Sequence, residues 1–413
     1  MNDLNKAKRF LPLKKIMVAE IGTGIGLSYC GMQLSDGGSE VIKVEDIGEG
    51  DPIRKENEII DKESELFLAL NRGKKSLCLD FKSKQAKTIL KKLFRKIDIC
   101  LLTKEAAKNS ELTYKAVAKL NSSIIYCSIS SLGETGPYCD RTATELEIQG
   151  LAGYQWFLGK HGNPPIRLGG DICETITGMQ AFMGILAALF YKIRHGKGQE
   201  IKISMLRAAA SFAYYLPAFT DPDNWLGYMV SGPTDDPERG YKTGDKPILW
   251  GFGLSTPDKA KKGWRSFCKR IEDFSWMLED PYWAEFGAQM IGLGRDAQEN
   301  RPVFEATFEN MSSEELIEHI DGCGGVAAPF NNYETLFRDK QIKSIELTRD
   351  ITDSNNKKFE VLRQPWVFSL GSIYPEEAPP KLGQHSKVIL EMLGYSKKSI
   401  DNLVNKKVVK INN

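Results

Sequence analysis

Ile16-Met-Val-Ala-Glu-Ile21 runs directly into Gly22-Thr-Gly-Ile-Gly26, and after a helical stretch to Leu34 and the turn Ser35-Asp-Gly-Gly38 the chain continues as Glu40-Val-Ile-Lys-Val-Glu45. A short apolar run, a glycine turn, a helix and a second apolar run make one strand–helix–strand unit. The same alternation recurs downstream. Ser76-Leu-Cys-Leu79, an amphipathic helix around Lys84–Arg95, Ile97-Asp-Ile-Cys-Leu-Leu102 and Ser123-Ile-Ile-Tyr-Cys-Ser-Ile129 follow in order. Strands separated by helices of about ten residues indicate a mostly parallel, Rossmann-like α/β sheet. The glycines themselves are less informative. Gly22, Gly24 and Gly26 give G-x-G-x-G, which lacks the third glycine of a dinucleotide fingerprint in either register, although Glu45 stands where a ribose-binding acid would. The run is read as a tight strand-to-helix turn.

Further along, Arg167-Leu-Gly-Gly-Asp-Ile-Cys-Glu-Thr175 opens a long apolar helix over 172–194, which stops at His195-Gly-Lys-Gly198 before the strand Gln199-Glu-Ile-Lys-Ile-Ser204. Its longest apolar run, Gly178 to Tyr191, is 14 residues, short of the roughly 18–20 that span a bilayer, so a buried core helix is expected and no membrane. Composition shifts after Phe219, and 220–245, rich in Asp, Pro, Gly and Thr, reads as a long connection. Five of the seven tryptophans fall between Trp225 and Trp283, marking a second core. The expected organisation is a large Rossmann-like domain over 1–220, a smaller α/β domain over 225–330, and a segment 331–413 that returns to the large domain.

The 413 residues exceed what one core usually supports. With 56 basic and 54 acidic side chains the net charge is +2, so nothing points to nucleic acid or an anionic membrane as partner. Eight scattered cysteines without a C-x-x-C pair suit reduced core positions in a cytoplasmic protein, and four unpaired histidines argue against a metal site. The charged start, Met1 to Arg9, has no signal-peptide core.

Three groups of residues can carry chemistry. Asp171, three residues before Glu174, has the D-x-x-E form of a capping box; a carboxylate at a glycine-opened helix start can also be a nucleophile. Asn71-Arg-Gly-Lys-Lys-Ser76 puts Arg72, Lys74 and Lys75 around a glycine, where they can hold phosphates or remain solvated. Glu145, in Thr142-Ala-Thr-Glu-Leu-Glu-Ile-Gln149, is either a solvated glutamate or a second carboxylate facing Asp171. No G-x-S-x-G elbow, Walker A run or H-E-x-x-H occurs.

Taken together and in order, Glu40–Glu45, Gly50-Asp-Pro-Ile-Arg54, Asn71–Ser76 with Leu79-Asp80, Ile124–Ser130, Gly136-Pro-Tyr138, Gly184-Ile-Leu-Ala-Ala-Leu189, Gly196-Lys-Gly-Gln199 with Ile203-Ser-Met205, and Ala378-Pro-Pro-Lys-Leu-Gly-Gln-His385 resemble the class III CoA-transferases, the CaiB/BaiF superfamily. The resemblance implies a Rossmann-like large domain, a small α/β domain and two chains threaded as interlocked rings in a homodimer. It implies CoA transfer from an acyl-CoA to a small carboxylic acid through an anhydride and a thioester on Asp171. Coenzyme A is then a substrate, with no permanently bound cofactor. Glu145 matches a carboxylate near the reaction centre, and Arg72, Lys74 and Lys75 match the CoA-binding loop. The family's E-N-F-R-P-G segment is replaced by Leu101-Leu-Thr-Lys-Glu-Ala106, where Lys104 stands in for a cation. Two alternatives share the fold. An α-methylacyl-CoA racemase needs a histidine where this chain has Thr144, and no histidine precedes His161. A non-catalytic subunit of a heteromeric transferase would fit the altered 101–106 segment but not the retained Gly-Gly-Asp.

Overall fold

The computed structural model describes residues 8–56, 59–60, 63–157, 164–212, 240–252, 256–289, 291, 295–352 and 357–412. Two compact units emerge. The larger comprises Met1–Tyr154, Arg167–Tyr214 and Ile345–Asn413; the smaller comprises Gln155–Ile166 and Tyr215–Ser344.

The larger unit is built on β1 (Met17–Ile21), β2 (Glu40–Asp46), β3 (Lys75–Leu79), β4 (Ile99–Thr103), β5 (Ile125–Ser130) and β6 (Gln199–Ser204). These strands are parallel and lie in the order β3-β2-β1-β4-β5-β6; Val409–Lys410 adds an antiparallel edge beside β3. This is the Rossmann strand order. Ala19 of β1 sits in register with Ile42 on one side and Cys100 on the other. Residues of β1, β2, β4 and β5 are buried nearly throughout because both sheet faces are covered, as parallel sheets require, with Glu20 and Lys43 buried as an ion pair among the apolar side chains. One face packs the helix Lys84–Phe94 and the C-terminal helices Ser386–Met392 and Lys397–Asn405. The other packs α1 (Ile25–Asp36) and the long helix that follows Asp171.

That helix spans Ile172–His195, and between it and α1 lies α2 (Glu145–Leu151), so it is α3 here. It ends on Gly196 at φ 71°, whose N–H donates to the Lys192 carbonyl, with Lys192, Arg194 and His195 on its last turn. Left-handed glycine and cations are the expected C-terminal signals. At 24 residues α3 is long and apolar enough to cross a membrane, but Ala181, Phe182, Ile185 and Leu189 are packed in the sheet's core. α1 and α3 cross at two glycines. A Cβ on Gly178 would stand 2.6 Å from the Gly26 carbonyl oxygen, so only glycine allows this approach.

In the smaller unit Ile248–Gly251 pairs antiparallel with Val326–Pro329. Trp250, Phe252, Trp264, Phe267, Phe304 and Phe308 form its core. Ser312 accepts from the Glu315 N–H to start the helix Ser313–Asp321. Most of the connection read over 220–245, up to residue 239, lies outside the described residues.

Candidate active site

β1 is flanked by β2 and β4, so the crossovers change direction there and a crevice opens beyond the carboxyl ends of those strands. A cavity of about 230 Å³ occupies it, lined among others by Thr23 after β1, Thr103 at the end of β4, Ser130 at the end of β5, Thr142, and Glu174 in the first turn of α3.

Three carboxylates organise this edge. Thr144 and Glu147 form a capping box for α2, which leaves Glu145 to point elsewhere. Glu145 is buried. Its Oε1 accepts from the Cys173 N–H at 2.9 Å and from Gln149 Nε2 at 2.8 Å, and its Oε2 accepts from the Glu174 N–H at 2.8 Å. The N-terminus of α3 is therefore capped from a different helix.

This corrects the capping box read from Asp171 and Glu174. Asp171 makes no side-chain cap bond; its φ of −100° and ψ of 67° are not those of a usual capping residue, and Glu145 already occupies the first-turn donors. The Asp171 carboxylate is half-exposed and pairs with Arg167 at 3.1 Å. Glu174 does not reach back either. It reaches across to α1, where its Oε2 accepts the Gly26 N–H at 2.7 Å.

The glycine run now has a physical reason. Gly22 and Gly24 hold φ of 124° and 116°, which side chains other than glycine rarely adopt. A Cβ on Gly26 would stand 2.8 Å from the Glu174 carbonyl oxygen and 3.1 Å from Glu174 Oε2. The turn is shaped to receive Glu174. Glu45, placed by the sequence where a ribose-binding acid would be, is instead buried against Arg54 at 2.7 Å and Ser76 at 2.6 Å. Burial alone would raise its pKa, but the Arg54 guanidinium holds it below the ordinary glutamate range.

Gln149, which sequence reading did not single out, holds the loop before α3. It is fully buried; its Oε1 accepts the Leu168 N–H at 3.0 Å and its Nε2 donates to the Leu168 carbonyl at 3.2 Å. The signal was present, since Gln149 follows Glu145 by one helical turn. Beyond Leu168, Gly169 and Gly170 face open space, and Gly170 has φ +73°.

Electrostatics separate the groups. Burial raises the Glu174 pKa above that of an ordinary glutamate; the Gly26 N–H opposes this, while the nearby Glu145 and Asp171 carboxylates add to it. Burial and Glu145 push the Cys173 thiol up to about 12, so it is no nucleophile at neutral pH.

The cations lie elsewhere. Arg72 is buried and forks onto Asp36, with Nη2 to Oδ2 at 2.7 Å. Lys74 is buried among Glu20 at 2.8 Å, Asn71 Oδ1 and the Ser28 carbonyl. Burial, with Lys43 adding to it, brings its pKa down to about 8 against the pull of Glu20. Lys75 begins β3, at the amino end of the sheet, and pairs with Glu40 at 3.0 Å. None of these three lines the cavity. Lys104 follows Thr103 at the cavity rim and donates to the carbonyls of Gly133 at 3.2 Å and Cys139 at 2.7 Å.

Comparison with known proteins agrees with this architecture. The chain is 25% identical to a succinate–glutarate CoA-transferase of Agrobacterium fabrum over 92% of its length and 96% of that protein. It is 26% identical to the human succinyl-CoA:glutarate CoA-transferase over 99% of its length and 91% of that protein. A crystal structure of a CAIB/BAIF family protein from Brucella suis superimposes with a TM-score of 0.74 at 23% identity, covering 94% of this chain and all of that one. The sequence profile of CoA-transferase family III matches residues 13–386, and the chain belongs to that family.

Proposed function

We propose that this protein moves coenzyme A from an acyl-CoA to a carboxylic acid by covalent catalysis at Asp171, the carboxylate of the Gly-Gly-Asp loop that opens α3. One observation carries the reading. Glu145 takes over the capping of α3, which leaves the half-exposed Asp171 carboxylate free of that task, one helical turn from Glu174 at the sheet's crevice. In the first step a carboxylate oxygen attacks the thioester carbonyl, the C–S bond breaks, and CoA leaves as thiolate with an acyl–enzyme anhydride formed. The thiolate then attacks the enzyme's own carbonyl carbon, releasing the donor acid and giving an enzyme–CoA thioester. The acceptor carboxylate attacks that thioester, CoA thiolate leaves again, and its attack on the acceptor carbonyl yields the new acyl-CoA and free enzyme. No net proton or electron is exchanged.

The relatives named for succinate and glutarate support short dicarboxylates as the first pair to test. Succinyl-CoA with glutarate should give glutaryl-CoA with ping-pong kinetics, followed by chromatography of the thioesters. The absence of CoA exchange across a panel of acyl-CoAs and acids overturns the proposal. Assembly as an interlocked homodimer belongs to the same reading, and Met183, Phe190, Tyr191 and Ile193, exposed along α3, support an apolar partner surface.

A further inference from the structure

We infer that Arg167 binds the carboxylate of the incoming acid, taking it in place of the Asp171 carboxylate each time Asp171 is acylated. The inference rests on the covalent reading above and names the group that holds the second substrate.

The ion pair itself is built for exchange. Arg167 Nη2 donates to Asp171 Oδ1 at 3.1 Å, and the two side chains are 53% and 35% exposed. The contact is single, and the other N–H groups of the guanidinium find no acceptor among the described residues. One prong of a fork that fits two carboxylate oxygens is therefore in use. A pair this open to water is weakly held, so one carboxylate readily replaces another.

The intervening residues keep the approach clear. Asp171 precedes α3, so its pair with Arg167 closes a loop over Leu168, Gly169 and Gly170 and does not lie along a helix. Gln149 holds both the N–H and the carbonyl of Leu168, which fixes the backbone beside Arg167. A Cβ on Gly169 or Gly170 would meet nothing within 4 Å. A small acid has room next to the pair.

Charge then decides where that acid can sit. The crevice cavity is lined by hydroxyls and apolar groups together with Glu105 and Glu174, and among the described residues no lysine or arginine lines it. An anionic acid is repelled there. Lys104 at the rim has its ammonium on the carbonyls of Gly133 and Cys139. Arg167 is the cation that touches Asp171.

Turnover itself triggers the exchange. Acylation turns Asp171 into an anhydride and then a CoA thioester, neither of which is charged, so the guanidinium loses its counter-ion. The acid carboxylate takes the vacant place, which sets one of its oxygens beside the Asp171 carbonyl carbon. That oxygen adds to the carbon, the C–S bond breaks, and CoA leaves as thiolate with an anhydride formed. The thiolate adds to the acid's carbonyl carbon, the anhydride C–O bond breaks, and Asp171 leaves as a carboxylate that pairs with Arg167 again. No proton or electron is gained or lost.

The experiment measures CoA exchange by the full chain over a panel of acyl-CoAs and mono- and dicarboxylic acids, for wild type, Arg167→Met and Arg167→Lys. In Arg167→Met, KM for the acid should rise about tenfold or more while KM for the acyl-CoA stays within about twofold. The rise should be equal for mono- and dicarboxylic acids, because the guanidinium holds the carboxylate that reacts. Arg167→Lys should recover part of the loss. Added salt should raise the wild-type KM for the acid and leave that of Arg167→Met unchanged. If Arg167→Met shows no turnover, the burst of donor acid released from acyl-CoA alone decides: a full burst supports the inference, and no burst overturns it. An unchanged KM for the acid, an equal rise in both KM values, or a rise confined to dicarboxylic acids also overturns it and leaves the covalent reading standing. Absence of exchange by the wild type with every pair overturns the covalent reading itself.

Discussion

Glu145→Gln isolates the contact on which the site is built. The wild-type carboxylate accepts three N–H donors, from Cys173, Glu174 and Gln149, at 2.8–2.9 Å. A glutamine keeps one oxygen and replaces the other with an NH2 group. In either orientation an N–H then faces an N–H: the Glu174 amide in one, the Cys173 amide and Gln149 Nε2 in the other. Gln149 cannot turn over to compensate, because both ends of its amide are held by Leu168. Orphaning one buried donor costs about 1–3 kcal/mol. Losing the negative charge at a helix start adds about 0.3–1 kcal/mol. The sum, about 1–4 kcal/mol, corresponds to a loss of amide protection between roughly fivefold and several hundredfold. Hydrogen exchange at Cys173 and Glu174 reads it locally, which suits a chain with two compact units. Glu147→Gln is the control, because Glu147 caps its own exposed helix end and its loss should cost about 1 kcal/mol or less. If both amides keep wild-type protection in Glu145→Gln while Glu147→Gln behaves as stated, the trans-cap is not what fixes the start of α3.

Glu174 makes a pH-dependent prediction. Its folded pKa lies above the unfolded one, so between the two values the folded state binds the extra proton and stability falls as pH rises. At neutral pH the ionised side chain is a net cost, and Glu174→Gln should melt higher than wild type, the gap closing as pH drops to the ordinary glutamate range of about 4.3. A lower melting temperature for the variant at pH 7 would refute this. Arg72→Met leaves the Asp36 carboxylate buried with Gln364 as its remaining partner among the described residues, and should cost about 3–5 kcal/mol in denaturant unfolding. KM for acyl-CoA should stay within about twofold, since Arg72 lies away from the cavity; a tenfold rise in a folded variant would place it on CoA after all. Gly178→Ala drives a methyl into the Gly26 carbonyl and should cost about 1–3 kcal/mol, with exchange quickening at the Gly26 amide that Glu174 holds.

The sheet was legible because its signal is local. β1, β2, β4 and β5 are short, mainly apolar runs because both of their faces are buried, while the edge strand β6 alternates Ile201 and Ile203 with polar residues. The helix after Asp171 was legible for the same reason, with His195-Gly-Lys-Gly198 marking its end. What could not be read was which carboxylate serves which donor. D-x-x-E describes one helix end, and sequence spacing cannot report that Glu145, 28 residues away from Cys173, occupies the donors first. The cation loop misled similarly. A run of three cations around a glycine looks solvent-facing, but Asp36 and Glu20, both far upstream in sequence, draw Arg72 and Lys74 inward. Ion pairs between distant segments leave no periodic trace.

The two trans-caps also explain why the glycine run and the Gly-Gly-Asp loop belong to one device despite lying some 150 residues apart. Glu145 of α2 sets the first turn of α3; that turn carries Glu174, and Glu174 sets the first turn of α1. The starts of α3 and α1 are each held by a side chain from another helix, while α2 is capped by its own Thr144 and Glu147. Carrying a buried carboxylate of raised pKa in the middle of such a chain is unfavourable for stability, and packing alone gives no reason for it. The turn at Gly26 supplies one: its N–H has no acceptor within α1 and takes Glu174 Oε2, and the missing side chain at Gly26 leaves room for that carboxylate.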